Sequence, residues 1–488
     1  EINGEGRYLV PTYYDAHLHF ESAAVRPSEY LKLTVPRGVT AYNADPHEIA
    51  NVCGDGGIAF MARDVRDIPA DVRFMMPSCV PATPEDSSGA TLTAADAVKC
   101  KYGLGLFGLG EMMNVPGVLG RDPDVMAKLN AFDIIDGHAP GLTGKALCAY
   151  AAAGVMTDHE CTTAAEAEER VRRGMYVIIR EGSPAKDLKK LLPAVGGKNF
   201  SRFMFCTDDR NLEDVSARGT IDNCVRLAVG CGMDAASAAT MASYNACAAY
   251  GIKRKGAIAP GCAADFFLTR DPEGELPEAV YFGGRRVAEN GRALFETHPA
   301  DCSAFLSTVR LAPFGEDAFT FPFRKSMPVI EVAPGTLVTK LGSADSPDGL
   351  DLMCCMERHR ASGEIGHAYV RGFCVGGGAI AQTVGHDSHN VTVIGDNARD
   401  MALAVSALGE GGGFAVAAGG EIKGKVSLAI AGLMSDKSAT EALAERKKLR
   451  AALGGLKHAE DIEPFMLLSF LSLTVIPEAK LNTKGLYD

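Results

Sequence analysis

The segment Arg7-Tyr8-Leu9-Val10-Pro11-Thr12-Tyr13-Tyr14-Asp15-Ala16-His17-Leu18-His19 joins a mostly apolar run to a pair of histidines. The run at residues 7–14 is typical of a buried strand. Because residues two apart in an extended segment point to the same face, His17 and His19 can both lie at the mouth of a barrel. The pair alone is a weak signal for a metal site, since two polar residues at a strand end would explain it equally well. Its place after the first strand of a repeating pattern gives it weight.

That pattern extends over the first half of the chain, where short apolar runs alternate with amphipathic stretches. The strand candidates are residues 7–14, 39–44, 73–79, 105–109, 132–136, 154–157, 175–180 and 201–206. Helical patterns between them lie at residues 94–101, 144–153, 163–174, 185–194 and 223–230. Eight strands alternating with helices predict an α/β fold, a closed (β/α)8 barrel of the TIM type. An open doubly wound sheet is the alternative, but no glycine-rich phosphate turn follows the first strand.

The pattern changes after residue 252. Residues 255–297 consist of short strand candidates separated by turns. A Pro- and Phe-rich connector follows at residues 311–328, and the remainder mixes strand and helix patterns. We therefore expect three domains: a barrel at residues 1–252, a small β region at residues 253–310, and a C-terminal α+β domain at residues 311–488.

Composition excludes several classes of protein. The 488 residues carry 49 basic and 61 acidic side chains, for a formal net charge of −12, and contain no block of five basic residues, unlike a nucleic-acid-binding protein. No run of 18 uncharged apolar residues could span a bilayer, and no signal peptide opens the chain. The 14 cysteines include no Cys-x-x-Cys motif, which favours reduced thiols. We expect a cytoplasmic protein that binds neither nucleic acid nor membrane.

Potential metal ligands follow the later strands. Any one of them alone is more simply a solvated loop residue. Since the carboxyl ends of barrel strands meet at one face, they converge with the first pair and predict a two-metal site in which a carboxylate bridges the ions. The six candidate ligands are His17, His19, Glu111, His138, His159 and Asp208, with Glu111 as the bridge.

Other polar residues are candidates for binding a substrate. Each has a structural alternative, such as capping a helix or supporting a neighbouring histidine. In the tail, His386-Asp387-Ser388-His389-Asn390 could cover the barrel mouth, bind a further metal or form a surface turn. The candidate substrate-binding residues are Glu48, Glu160, Asp209, His386 and His389.

Ten short motifs spread nearly end to end match one family. They are Asp15-Ala16-His17-Leu18-His19-Phe20-Glu21-Ser22, Ala44-Asp45-Pro46-His47-Glu48-Ile49-Ala50-Asn51-Val52, Pro77-Ser78-Cys79-Val80-Pro81-Ala82, Gly108-Leu109-Gly110-Glu111-Met112-Met113-Asn114, Asp136-Gly137-His138-Ala139-Pro140, Thr157-Asp158-His159-Glu160, Cys206-Thr207-Asp208-Asp209, His386-Asp387-Ser388-His389-Asn390, Ala431-Gly432-Leu433-Met434-Ser435 and Pro464-Phe465-Met466. On these motifs the chain resembles the bacterial-type adenine deaminase family of the amidohydrolase superfamily. Glu111 stands where many superfamily members bridge their metals with a carboxylated lysine.

The resemblance implies a hydrolase of purine salvage and adenine catabolism. It would act on a cyclic amidine C–N bond and convert adenine to hypoxanthine and ammonia through hydroxide attack at C6. It further implies a homodimer or higher homo-oligomer, and a small β-sandwich of which residues 255–297 are only a part, since the family pairs them with a segment ahead of the first strand. The implied cofactors are two divalent metal ions per chain, Mn or Fe with Zn as an alternative, one held by His138 and His159 and the other by His17, His19 and Asp208. Asp208 and Glu111 are the expected catalytic residues, with Asp208 as the proton shuttle because it can touch both a metal and the bridging water.

Two alternative functions stay open at this point. One is a deacetylase of the same superfamily that acts on an N-acetyl amino sugar phosphate, and the other is a non-catalytic barrel scaffold that binds a partner protein. A deacetylase needs a basic residue beside the phosphate and often uses one metal, whereas a scaffold would have lost its ligands. The complete set of six ligand candidates argues against both.

Overall fold

The computed structural model describes residues 3–333, 338–456, 463–476 and 478–487. The chain forms two compact units, the first made of Glu1–Pro46, Ala59–Ser78 and Thr93–Ala300 and the second of His47–Ile58, Cys79–Leu92 and Asp301–Asp488. This division differs from the three domains expected from sequence. Residue 252 lies inside the first unit, residue 310 lies inside the second, and two segments from the first hundred residues join the second unit.

The first unit contains thirteen strands among its described residues. They are β1 (Tyr8–Pro11), β2 (Tyr13–Leu18), β3 (Val39–Ala44), β4 (Asp71–Phe74), β5 (Leu109–Met112), β6 (Ile135–Gly137), β7 (Thr157–Asp158), β8 (Tyr176–Arg180), β9 (Phe203–Cys206), β10 (Phe266–Thr269), β11 (Ala279–Phe282), β12 (Arg285–Glu289) and β13 (Arg292–Ala293). The helices up to residue 249 are α1 (Pro27–Thr34), α2 (His47–Asp64), α3 (Ala94–Cys100), α4 (Val115–Gly120), α5 (Pro123–Ala131), α6 (Gly144–Ala152), α7 (Ala164–Arg172), α8 (Leu188–Leu191), α9 (Leu212–Arg218), α10 (Ile221–Gly230), α11 (Ala235–Met241) and α12 (Tyr244–Ala249), of which α2 begins in the second unit and ends in the first.

Strands β2 to β9 form the predicted eight-stranded barrel. They pair as β2-β3-β4, β5-β6 and β7-β8-β9. Backbone hydrogen bonds join these groups, from Gly110 N–H to Met76 O (2.7 Å), from Met156 N–H to Ile135 O (2.9 Å) and from Asp208 N–H to His17 O (3.0 Å). The last of these bonds closes the ring beside two of the predicted metal ligands.

The first strand prediction, residues 7–14, is wrong in its bounds because two strands of different sheets share that run. β1 pairs antiparallel with β10 in a five-stranded sheet of order β1-β10-β11-β12-β13, whereas β2 pairs with β3 in the barrel. The change of sheet falls at Thr12, whose N–H donates to Asp265 O, while the N–H of Tyr13 donates to Gly38 O. An apolar run shows that a strand is buried but not which sheet it joins. β1 also ties residues 266–293 to the barrel unit, which explains why no boundary appears at residue 252.

Other bounds shift by a few residues. The strand expected at residues 105–109 is Leu109–Met112, because residues 101–105 extend the helical turns that begin in α3. Glu111 therefore lies within a strand rather than after it. The helix expected at residues 185–194 is a single turn of α-helix, Leu188–Leu191, that continues as a 3-10 turn.

The second unit is built on an eight-stranded sheet of order β15-β14-β17-β16-β19-β18-β20-β21. Its strands are β14 (Met327–Val332), β15 (Thr339–Ala344), β16 (Leu350–Met356), β17 (Ile365–Arg371), β18 (Ala379–Gln382), β19 (Val391–Gly395), β20 (Gly413–Ala418) and β21 (Glu421–Ser427), followed by the hairpin β22 (Lys480–Asn482) and β23 (Gly485–Tyr487). Its helices are α13 (Ala398–Leu408), α14 (Ala439–Leu453) and α15 (Pro464–Phe470). Met401 and Val405 of α13 pack with Cys354 and Val393 of the sheet. Within the described residues, no helix combines the length and apolar character needed to cross a membrane.

The stability of the sheet in the second unit should depend on the protonation of Asp351 in β16. Burial raises the pKa of this carboxyl from 3.8 to about 6, against the smaller opposite effect of the Val375 and Cys374 N–H groups. A raised folded-state pKa means that the folded state binds the proton more tightly, so the free energy of unfolding falls as pH rises from about 4 to about 6. We expect Asp351→Asn to remove this decline and to stabilise the protein by about 2 kcal/mol at neutral pH.

Denaturant unfolding of the wild-type protein and the variant at about pH 5 and about pH 8 checks this expectation. Asp348→Asn is the matched control, because Asp348 is an exposed aspartate in the preceding turn. Equal pH dependence in the wild-type protein and in Asp351→Asn would contradict it.

Candidate metal centre

His17 and His19 place two imidazoles side by side at the carboxyl end of β2. His17 lies inside the strand, and His19 follows its last residue. Their Nε2 atoms are 3.1 Å apart, and His19 Nδ1 lies 2.9 Å from the backbone oxygen of Asp45. A carbonyl oxygen only accepts, so His19 donates from Nδ1 and its neutral form turns a bare Nε2 lone pair toward His17. Two imidazole nitrogens that face each other in this way suit a shared cation.

Glu111 lies between two pairs of histidines. Its Oε1 is 3.7 Å from His17 Nε2 and 3.3 Å from His19 Nε2. Its Oε2 is 2.8 Å from His138 Nδ1 and 3.2 Å from His159 Nε2. Each carboxylate oxygen therefore faces one pair of imidazoles, which is the geometry of a carboxylate that bridges two metal ions.

The backbone of β5 is fitted to hold this glutamate in place. The N–H of Glu111 donates to Asp45 Oδ2 at 2.9 Å, and the Ser78 hydroxyl donates to its backbone oxygen at 2.5 Å. A Cβ on Gly110 would lie 2.0 Å from the same Asp45 oxygen. Only a glycine fits at position 110 of the Gly-Leu-Gly-Glu motif, because the backbone there approaches the Asp45 carboxylate closely. Asp45 directly follows β3 but was not among the site residues predicted from the sequence.

Asp208 follows β9, with a positive φ of 53° that directs its side chain back over the barrel end. Its Oδ1 lies 3.2 Å from His19 Nε2 and 3.7 Å from His17 Nε2. Thr207, the preceding residue, is held in place by β2, because its N–H and its hydroxyl both donate to the carboxylate of Asp15 in that strand. Five strand ends thus bring the six predicted ligands together.

Two further charged residues adjoin these six. Glu160 Oε1 lies 3.6 Å from His138 Nδ1 and 3.5 Å from His159 Nε2, so Glu160 borders the second pair of imidazoles. Arg180 is the last residue of β8, and its guanidinium contacts both Glu160 and Asp208. Arg180 was not predicted from the sequence, because an arginine is not among the residue types that bind metal ions. Its position at the end of a predicted strand was the available signal.

The charges of this cluster are buried, with every residue 9% exposed or less. Burial alone would raise the pKa of Glu111, but its close contacts with the imidazoles of His138, His159 and His19 outweigh it and hold that pKa well below its usual value. For Asp208, burial also acts to raise the pKa, and the contact with His19 and the nearby charges of His159 and Arg180 outweigh it. Both carboxylates are therefore ionised.

The donor set fits divalent metal ions. Three groups made only of described residues of the first unit have donor atoms within 4.8 Å of one another, namely His17, His19 and Asp208; His17, Glu111 and His159; and His138, His159 and Glu160. An imidazole must be neutral to bind a metal ion, and in that state the three carboxylates and one guanidinium leave a surplus of two negative charges in a buried space. Bound cations would offset that surplus, which burial otherwise makes costly.

Two of the predicted substrate-binding residues, Glu160 and Asp209, lie in the first unit. Asp209 Oδ1 contacts the hydroxyl of Ser22, so the loop after β9 is linked to the segment after β2.

The other three, Glu48, His386 and His389, form a separate cluster in the second unit. Glu48 Oε1 is 2.7 Å from His386 Nδ1, and its Oε2 contacts His389 Nε2. Burial acts to raise the pKa of Glu48, but the two imidazoles outweigh it and lower that pKa well below its usual value. Arg358 donates to the backbone oxygen of His389. All of these side chains are buried, so the tail motif is not a surface turn.

Comparison with known proteins identifies the family of this chain. Residues 8–287 match the description "Amidohydrolase family", and residues 331–488 match "Adenine deaminase C-terminal domain". The relatives include "Adenine deaminase" of Nitratidesulfovibrio vulgaris strain Hildenborough, 45% identical over 100% of this chain and 88% of the relative. "Adenine deaminase 2" of Carboxydothermus hydrogenoformans is 42% identical over 99% of this chain and 88% of its own length. "Adenine deaminase" of Bacillus pumilus is 42% identical over 100% and 88%. The chain therefore belongs to the adenine deaminase family of the amidohydrolases.

Proposed function

We propose that this protein deaminates adenine hydrolytically. Water adds at C6, the exocyclic amino group leaves as ammonia, and hypoxanthine remains. The observation that carries the proposal is the Glu111 carboxylate between two pairs of imidazoles, in a chain whose relatives are named adenine deaminase over nearly their whole length.

The residues of the centre would hold two divalent ions, Mn or Fe with Zn as an alternative. His17, His19 and Asp208 would hold one ion, His138 and His159 the other, and Glu111 would lie between them. When bound, such ions lower the pKa of water and make hydroxide available near neutral pH.

The chain's own residues supply the proton transfer. Asp208 has one oxygen directed at the imidazoles of His17 and His19, so it lies where a proton can be taken from the attacking water and returned to the departing amino group. Glu111 remains ionised and fixes the separation of the two imidazole pairs. Burial of the cluster excludes bulk water, which strengthens every charge interaction within it.

We further propose that Glu48, His386 and His389 contribute to purine recognition, with Glu160 and Asp209 as additional candidates. A purine ring offers both N–H donors and bare ring nitrogens. An ionised carboxylate such as Glu48 accepts from the donors, and the two imidazoles keep that carboxylate in place.

The proposal also includes the cellular location and the oligomeric state of the protein. We propose that the protein is cytoplasmic and assembles as a homodimer or higher homo-oligomer. The cysteines support the first point, because all 14 are free thiols, which is typical of a reducing compartment. Neither a sugar phosphate deacetylase nor a non-catalytic scaffold is favoured by the relatives, which carry the adenine deaminase name.

Purified protein loaded with Mn²⁺ or Fe²⁺ should convert adenine to hypoxanthine. The conversion changes the ultraviolet absorbance of the purine, and ammonia release can be measured in parallel. Folded protein with bound metal that produced neither signal would rule out the proposed function.

Replacing the bridge should remove both metal and activity. We expect Glu111→Gln to lose at least one ion per chain and to lower kcat by about 1,000-fold or more, since a neutral amide cannot bridge two cations. Metal analysis and steady-state kinetics measure the two effects. Glu29→Gln is the control, a buried glutamate of α1 that contacts Lys32. Full activity with two ions per chain in Glu111→Gln would show that the bridge is wrongly assigned.

Loss of the Glu48 carboxylate should weaken adenine binding more than it slows the chemical step. We expect Glu48→Gln to raise KM by about 10-fold or more, the effect of losing one charged hydrogen bond. Glu357→Gln is the matched control, because Glu357 is also buried in the second unit but accepts only from backbone N–H groups among its recorded contacts. A KM unchanged in Glu48→Gln, or raised equally in both variants, would remove Glu48 from the substrate site.

A further inference from the structure

Arg180 contacts two carboxylates of the metal centre but cannot itself bind a metal ion. A guanidinium has five N–H donors and no acceptor, so Arg180 orients carboxylates but cannot bind a cation. Its Nη1 lies 3.0 Å from Asp208 Oδ2 and also contacts Glu160 Oε1, and its Nη2 lies 3.0 Å from Glu160 Oε2. The pairing with Glu160 is therefore two-pronged, and one nitrogen is shared with Asp208.

The third nitrogen of the guanidinium, Nε, also faces a carboxylate. Nε lies 3.4 Å from Asp187 Oδ2, and the N–H of Asp187 donates to the backbone oxygen of Arg180 at 3.2 Å. Arg180 ends β8, so its Cα is also fixed by the barrel. With only 9% of the residue exposed, the side chain has little freedom to leave its three carboxylate partners.

These contacts divide the two oxygens of Asp208 between different partners. Oδ2 accepts from Arg180, and Oδ1 faces the Nε2 atoms of His19 and His17. Without Arg180, the carboxylate of Asp208 could rotate about its Cβ–Cγ bond. Such a rotation would exchange its two oxygens or turn both toward the imidazoles. The surplus of buried negative charge would also grow from two to three.

We propose that Arg180 is a positioning residue for the deamination reaction, holding Asp208 with a single oxygen directed at the metal-binding imidazoles while it clamps Glu160 beside His138 and His159. For its effect on rate, this inference rests on the proposed function. Arg180 acts through Asp208 and contacts neither the purine nor a cation. Its loss should therefore slow proton transfer, which depends on the direction of one oxygen, more than it weakens substrate binding.

The kinetic test compares Arg180→Met, Arg180→Lys and Arg180→Ala in the metal-loaded enzyme. We expect Arg180→Met to lower kcat by about 100-fold and to change KM for adenine by a smaller factor, because general acid–base groups typically contribute that much when correctly placed. Arg180→Lys should recover only part of the loss, since one ammonium cannot form the two-pronged pair. Millimolar guanidinium should raise the kcat of Arg180→Ala by about 10-fold, which a merely structural role would not produce.

Arg26→Met and Arg26→Ala are the matched controls. Arg26 is a buried arginine of the same unit that pairs with Asp64, and none of its recorded contacts is with a residue of the metal centre. These controls should keep kcat near the wild-type value and show no rescue by guanidinium. Thermal unfolding of every variant shows whether a loss of rate reflects a loss of fold, and Arg180→Lys, which retains the positive charge, keeps the test open if Arg180→Met does not fold.

A spectroscopic readout separates this inference from the proposed function. The low-temperature electron paramagnetic resonance spectrum of Mn²⁺-loaded protein reports the ligand arrangement directly. It should change in Arg180→Met and remain unchanged in Arg26→Met. A changed spectrum in a protein that never deaminates adenine would uphold the positioning role and reject the activity. Wild-type kcat and an unchanged spectrum in Arg180→Met would overturn the positioning role even if adenine is the substrate.

Discussion

The metal centre of the first unit depends on one contact, in which the ionised Glu111 carboxylate lies among four imidazoles in a buried space. Burial would favour the neutral acid, and only the surrounding donors reverse that preference. The barrel supplies those donors from separate strand ends, so no local segment of the chain could assemble them alone. Closure of the ring through the Asp208 N–H and the His17 backbone oxygen is therefore also what completes the site.

Sequence patterns predicted the barrel and the residue types at its strand ends because both follow from short-range rules. Alternation of apolar runs with amphipathic stretches is local, and carboxyl ends of barrel strands share one face whatever the loops contain. That reasoning brought His138, His159 and Asp208 to the same place as the first histidine pair. It could not assign β1 to a different sheet from β2, because one continuous apolar run served both. It also missed Asp45 and Arg180, whose roles depend on the partners that tertiary packing brings to them.

The second unit was less accessible from sequence for a related reason. The sequence pattern indicated a mixture of strands and helices there, but the order of the sheet depends on pairings between strands that are not consecutive in the chain, such as β14 with β17 and β18 with β20. The segments His47–Ile58 and Cys79–Leu92 leave the barrel sequence to join this unit, which no local pattern could indicate. Glu48 belongs to the first of them, and its two histidine partners come from residues 386 and 389, more than 300 positions along the chain. Only the folded unit reveals that these three side chains form one cluster.

The change of sheet at Thr12 restricts how the chain can vary. A single residue separates β1 of the five-stranded sheet from β2 of the barrel, which carries His17. The connection between the two sheets therefore has no spare length. An inserted or deleted residue here could not be absorbed as it would be in a loop. It would shift β2 by one position and turn both imidazoles away from the cluster, because side chains in a strand alternate between faces. Length variation among descendants of this chain should therefore accumulate in the loops and avoid residues 11–13, even though none of these residues touches the metal centre.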